Sequence, residues 1–118
     1  MTILLPIKTV STLNTREHWS KRAKRAKSQR KAAFLTVAHM ARATPLPVVV
    51  TLERLSPSNG LDGDNLQGSL KSVRDGIADC YGIDDRDERI EWRYSQRRAW
   101  EYGVSITVEI KTDGEVPR

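Results

Sequence analysis

The sequence predicts a small α/β (α+β) domain with the element order β-α-β-α-β-β, a small mixed sheet packed by two helices. Three observations carry that expectation. Two segments, Ser11 to Ala43 and Asp64 to Cys80, repeat apolar residues at three- and four-residue spacing, as helices do. Three others, "VVVTLERL", "RIEWRYSQRRAW" and "YGVSITVEI", are β-branched or alternate apolar with polar residues, as strands do. Proline- and glycine-bearing stretches separate them. At 118 residues the chain has room for one modest core, so residues 1–112 are expected to form a single domain. The tail, 113–118, lacks apolar periodicity and is expected to be mobile.

The first strand is "TILLPIK", which Pro6 confines to a sheet edge or ends early. The first helix has two candidate starts: Asn14, which forms a capping box with Glu17, and Ser20. Its apolar stripe is Trp19, Ala23, Ala26, Ala33, Phe34, Val37 and Met40, and Pro45 and Pro47 end it. Val48 to Leu55 is the second strand, running into the loop "SPSNGLDGD". Asp64 is well placed to cap the second helix, whose buried face is Leu66, Leu70, Val73, Ile77 and Cys80. The last two strands alternate Ile90, Trp92, Tyr94 and Tyr102, Val104, Ile106, Val108, Ile110 against mostly polar residues, and an antiparallel hairpin is expected from them.

Charge is segregated along the chain. The net charge is +5, yet nine of the fifteen carboxylates lie between Asp62 and Glu91, and eight basic residues against one acid lie between Arg16 and Lys31. A basic surface beside an acidic pocket suits an enzyme acting on phosphodiesters, which must attract the backbone and hold a divalent ion; a plain DNA-binding module needs only the first. The single Cys80 excludes an intrachain disulfide framework and a cysteine zinc cluster, which fits a cytoplasmic protein. The opening apolar run is too short to span a bilayer and has no basic region before it, so neither secretion nor membrane insertion is expected. No Ser/His/Asp triad, phosphate-cradling glycine loop or zinc spacing is present.

On a helix from Asp64, the residues Asp64, Gly68, Lys71 and Asp75 fall within roughly 60° of one another, opposite the apolar stripe. Gly68 in mid-helix costs about 1 kcal/mol against alanine, which points to close approach by another backbone there. Taken alone, "LDGD" reads most simply as a turn followed by a helix cap. A calcium EF-hand loop fails, because Leu66, Gln67 and Val73 stand where oxygen ligands, glycine and the bidentate Glu belong. "IDDRDE" is an ordinary solvated loop in most chains, but Ile83 before Asp84 and Asp85 would tie these acids to the domain.

"DGDNL", then a lysine on the following helix, then "GIDD" before a strand resembles the RusA family of Holliday junction resolvases, in its phage-type members, over roughly Leu13 to Tyr94. The resemblance implies a homodimeric α/β endonuclease that cuts four-way DNA junctions with magnesium, or manganese as a substitute. Three aspartates per subunit would hold the metal: Asp62, Asp64 and Asp85, with Asp84 the competitor for the third place. The family's lysine follows the second aspartate by four residues, where this chain has Gly68. Lys71, three later, is the candidate. Its other role is an ion pair with Asp75 at i,i+4.

Carboxylates are the hard ligands magnesium takes, and the chemistry needs an aimed hydroxide and positive charge at the phosphoryl oxygens. Lys21, Arg22, Lys24, Arg25, Lys27 and Lys31 are the candidates for holding DNA backbone, against the plainer role of a solvated face; Arg97 and Arg98 would continue that surface. Trp19, Trp92 and Trp100 are expected in the core or a dimer contact. His18 sits near the basic segment and His39 near the helix end. The apolar faces of the last two strands are generous for so small a domain, and one of them is expected to be shared between subunits. The rival expectations are a catalytically silent DNA-binding or regulatory protein and a nuclease for other branched DNA.

Overall fold

The computed structural model describes residues 1–10 and 18–112. In chain order its elements are β1 (Thr2–Leu5), α1 (Trp19–Ala43), β2 (Val48–Ser56), α2 (Gly63–Ser69), α3 (Lys71–Tyr81), β3 (Ile90–Arg98) and β4 (Gly103–Ile110). The expected mixed α/β architecture is present, with three helices instead of two among the described residues. The tail 113–118 and the Asn14–Glu17 capping box lie outside the described residues.

The four strands form one sheet in the order β1-β4-β2-β3. β1 is an edge strand that ends at Leu5, where Pro6 removes the next ladder donor. The expected β3–β4 hairpin does not form. β2 lies between them, parallel to β3 and antiparallel to β4. The reason lies in composition: β2 opens with Val48, Val49 and Val50, all buried, and a near-continuous apolar run suits a central strand. β3 carries Glu91, Arg93, Arg97 and Arg98, which suit an edge because charge discourages further pairing.

The register places Val48, Val50 and Leu52 of β2 beside Ile90, Trp92 and Tyr94 of β3 and beside Ile110, Val108 and Ile106 of β4. With Leu5, most of these join Val37, Met40, Leu66, Leu70, Val73 and Ile77 in one core under the helices. The apolar faces of β3 and β4, one of them expected to be shared between subunits, are covered by this chain's own helices, apart from Ile110 at the strand end, which is exposed. The opposite face carries Thr51, Glu53, Ser95, Arg97, Ser105 and Thr107, a polar surface with Leu4 exposed at its edge.

Helix α1 is capped by His18, whose Nδ1 accepts from the Ser20 amide at 3.1 Å, one turn away from the expected Asn14 start and two residues before Ser20. Its 25 residues reach about 37 Å, whereas the 11 of α3 reach about 16 Å, so the first turns of α1 overhang their neighbour. Trp19 and Ala23, expected on the packed stripe, are exposed for that reason, and Phe34 is on the rim. The buried face is Ala33, Val37, Met40 and Ala41.

α3 lies against α1 at Gly76, where a Cβ would collide with the Arg30 carbonyl and stand 2.8 Å from the Ala33 Cβ. Gly76 is thus a helix glycine that a close backbone approach requires. Arg30 clamps the pair by a two-pronged bond to Asp79 at 2.7 and 2.8 Å. The expected single second helix breaks at Leu70, whose φ of −106° and ψ of 2° leave helical geometry. Gly68 and Ser69, weak helix formers, end α2, and both Leu66 and fully buried Leu70 reach the core. No helix among the described residues is long and apolar enough to cross a membrane.

Candidate functional site

The loop after β2 delivers the first two acids. Asp62, not Asp64, is the N-cap of α2: its Oδ1 accepts from the Asn65 amide at 3.0 Å and from Asn65 Nδ2 at 2.9 Å. Those bonds hold its carboxyl below the usual carboxylate range. Asp64 lies in the first turn of the helix, a position favoured by the helix dipole. The break at Leu70 splits the expected Asp64, Gly68, Lys71, Asp75 stripe into two i,i+4 pairs, Asp64 and Gly68 on α2 and Lys71 and Asp75 on α3. Gly68 lines a crevice with Arg22 and Arg25 of α1.

Asp85 arrives from the loop after α3. Gly82 ends that helix with φ +66°, a left-handed cap that glycine adopts without strain, and Ile83 then packs against the core as expected. The consequence is a graded pair of acids: the Asp84 side chain is 60% exposed and pairs with Arg86, whereas that of Asp85 is 13% exposed. Lys71 Nζ donates to Asp85 Oδ2 at 2.8 Å and to Asp75 Oδ1 at 2.8 Å, so the i,i+4 pair and the contact with the third acid coexist. Arg74 Nε stands 2.7 Å from the same Asp85 oxygen as an ion pair. Burial pushes the Asp85 carboxyl up, but the hydrogen bond from Lys71 and the charges of Lys71 and Arg74 outweigh it and hold the group below its ordinary range.

Strand β3 organises both acid-bearing loops. On its helix-facing side Trp92 Nε1 donates to the Asp85 carbonyl at 2.8 Å, and Tyr94 Oη accepts from Arg74 Nη1 at 2.7 Å. Two residues on, the Gln96 amide receives the Leu61 N–H at 2.8 Å and donates to the Leu61 carbonyl at 2.6 Å, beside Asp62. Trp92 and Gln96 are about 13 Å apart along a strand, so a single rigid element sets the spacing of the two loops. Arg74, also stacked 4.8 Å over the Trp92 ring, and Gln96 were missed by sequence reasoning. Arg74 lies three residues after Lys71, a helical neighbour that the spacing alone would have found.

The basic residues divide. Lys21, Lys24, Lys27 and Lys31 are exposed on α1, whereas Arg22 and Arg25 are half-buried on the side facing α2. Arg97 and Arg98 end β3, both exposed, and Arg97 reaches Glu53 at 3.3 Å on the open sheet face. Trp92 is half-buried as expected, but Trp19 and Trp100 are 72% and 97% exposed and take no part in the core. His18 is spent as a helix cap, and His39 is exposed.

Among the described residues, no three His, Cys, Asp or Glu side chains form a group that would hold a metal ion. Asp62, Asp64 and Asp85 carry oxygens of the hard kind that magnesium takes, and the Lys71 ammonium stands as a cation on Asp85. Lys71 is half exposed and has Asp75 as a second partner, so it can leave Asp85 without losing all compensation. The chain matches no family model, and no curated protein is significantly similar to it.

Proposed function

We propose that this chain is a magnesium-dependent, structure-selective endodeoxyribonuclease of the RusA type, acting as a homodimer that resolves four-way DNA junctions by paired nicks. The observation that carries the reading is the Lys71–Asp85 contact of 2.8 Å, which unites the candidate lysine with the candidate third acid. In support, β3 anchors the Asp62 loop and the Asp85 loop to one strand.

Asp62, Asp64 and Asp85 would hold the metal, with the more exposed Asp84 the competitor for the third place. A bound magnesium supplies Lewis-acid charge at the phosphoryl oxygens and an activated water. Lys71, released from Asp85, turns its ammonium toward the scissile phosphate and adds positive charge where the transition state develops negative charge. Asp75 steers that ammonium while it is free. Arg74 remains on Asp85 and, with Trp92 and Tyr94, keeps the loop from moving as the charge around it changes. The exposed lysines of α1 attract the backbone. A two-fold dimer supplies the second cut that a symmetric junction requires.

One observation favours a second reading. Two cations already neutralise Asp85, as a silent DNA-binding protein of this fold would also allow. Cleavage assays on four-way junctions, flaps, forks and linear duplex, with and without magnesium, separate the two. The nuclease reading expects magnesium-dependent nicks in the four-way junction that vanish in Asp62→Asn, Asp64→Asn and Asp85→Asn, while DNA binding persists or tightens. Loss of cutting in Asp84→Asn with Asp85→Asn active would move the third ligand by one residue. DNA binding with no cleavage of any substrate would establish the silent reading.

A further inference from the structure

Arg54 is the one arginine in the central strand, and its position is costly. Its side chain points to the helix-facing side of the sheet and is 4% exposed. Among the described residues no carboxylate pairs with it; its Nε donates to Thr9 Oγ1 at 3.0 Å and its Nη2 to the Thr9 carbonyl at 3.4 Å. Burying a cation with no counter-charge is strongly unfavourable unless something else compensates. Desolvation accordingly pushes its guanidinium down.

Arg54 lines a cavity of about 270 Å³ at the carboxyl ends of β2 and β3. The parallel register sets Arg54 opposite Gln96 and Ser56 opposite Arg98, so these four share a sheet face and form the floor. Ser58 and Asn59 close the other side, with Ser58 Oγ 2.7 Å from Ser56 Oγ. Gly60 completes the wall, where a Cβ would stand 2.9 Å from the Gln96 amide oxygen. Arg54, Arg97 and Arg98, the hydroxyls of Ser56 and Ser58 and the amides of Asn59 and Gln96 line it, with the Arg97 guanidinium turned to Glu53 on the other sheet face, and no carboxylate is among the described residues of the lining. Donors on several sides, more than the two oxygens of a carboxylate would use, suit a tetrahedral oxyanion. In sheets with parallel strands, ligands gather at these strand ends.

We propose that this pocket is a phosphate-binding site, and that the phosphate it takes belongs to a DNA strand entering beside Asp62. The identification of the strand rests on the nuclease reading; the phosphate chemistry does not. The same loop that walls the pocket continues through Leu61 into Asp62, and Gln96 pins that junction, so a phosphate seated on Arg54 fixes the strand relative to the acids. Such a subsite sets where the strand is placed, separately from the attraction exerted by the lysines of α1.

The test uses the whole chain without divalent metal, so cleavage plays no part in it. Thermal unfolding is followed in inorganic phosphate and in chloride of equal ionic strength. Phosphate is expected to raise the melting temperature of the unmodified protein, and of Asp62→Asn equally. Because Arg98 is exposed, Arg98→Ala is expected to fold normally and to weaken phosphate binding about tenfold, the loss of a charge-assisted bond. Arg54→Met is expected to remove binding; should it not fold, Arg98→Ala and Ser58→Ala carry the test. Equal melting temperatures in phosphate and chloride, or an Arg98→Ala protein with unaltered phosphate affinity, would overturn the site. A short single-stranded oligonucleotide is expected to compete with phosphate in the unmodified protein. Phosphate binding without that competition would overturn the assignment to a DNA strand, whether or not any DNA is cut.

Discussion

Lys71 Nζ sits midway between two carboxylates, 2.8 Å from Asp85 Oδ2 and 2.8 Å from Asp75 Oδ1. One partner comes from its own helix and the other from the loop after it. A lysine with both a local and a distant partner can exchange between them, and its long stem makes that movement easy. Burial lowers the Lys71 pKa, but the hydrogen bonds to Asp75 and Asp85 outweigh it and keep the ammonium charged.

Lys71→Ala should therefore separate a structural role from a chemical one. The side chain is 54% exposed, so stability should change by no more than about 1 kcal/mol. Junction cleavage should fall about a hundredfold, the usual loss when a group stabilising transition-state charge is removed. Near-normal cleavage with altered stability would leave Lys71 as an ion-pair partner only.

Asp85→Asn should cost about 1–3 kcal/mol, measured by urea unfolding, because it strips a charge partner from half-buried Arg74. Its pH signature has a definite sign. The folded Asp85 carboxyl titrates below its unfolded value, so its stabilisation is present above about pH 4 and is lost as pH falls through the folded value. Unfolding followed from pH 5 to pH 2 should fall less steeply in Asp85→Asn. Equal slopes would show that the ion pairs at Asp85 do not contribute.

Gly76→Ala should destabilise by about 1–3 kcal/mol, since the added methyl must push α3 away from the Arg30 carbonyl and Ala33. Gly63→Ala is the contrast, because a Cβ there meets nothing within 4 Å. Thermal unfolding of both compares packing with simple glycine replacement.

Neutralising Lys24 and Lys27, both exposed, should weaken binding to branched and linear DNA alike and lower the log–log salt slope by about 1 for each phosphate no longer neutralised. Neutralising half-buried Arg22 and Arg25 should in addition lower the melting temperature, because they line the crevice against α2. An unaltered salt slope in the lysine pair would return α1 to a solvated face.

Trp100, 97% exposed in the turn between β3 and β4, buries almost none of its surface in the monomer. Trp100→Ala should leave monomer stability within about 0.5 kcal/mol. Sedimentation at micromolar concentration is expected to give twice 13.4 kDa for the unmodified chain. Dissociation in Trp100→Ala would place the dimer interface at this turn.

Local patterning was enough to find the four strands, the helical segments between them and most of the core, but not that the second segment is two helices. Leu66, Leu70, Val73 and Ile77 keep one face whether or not the helix bends, and β2 is apolar enough to read as a strand in isolation. Pro6, Pro45 and Pro47 act through their own geometry, so the ends they impose are legible from the chain alone. Caps are subtler: the sequence points to Asp64, and only the folded backbone shows that Asp62 accepts the Asn65 amide. The same limit hid the break at Leu70, where the φ and ψ of one residue separate two helices from one.

Strand partners and long-range charge pairs were the part that no local signal contained. Alternation says that β3 and β4 each have an apolar face, but not that β2 would insert between them, because pairing depends on competition among all the strands for central and edge positions. Nor does spacing reveal that Gln96 reaches Leu61, that Trp92 reaches Asp85, or that Arg54 and Arg98 meet over one pocket. Residue type and periodicity act over a few residues and set local conformation. Which polar groups meet is settled only when the sheet closes and brings residues 35 or more positions apart, as Leu61 and Gln96 or Thr9 and Arg54, within hydrogen-bonding distance.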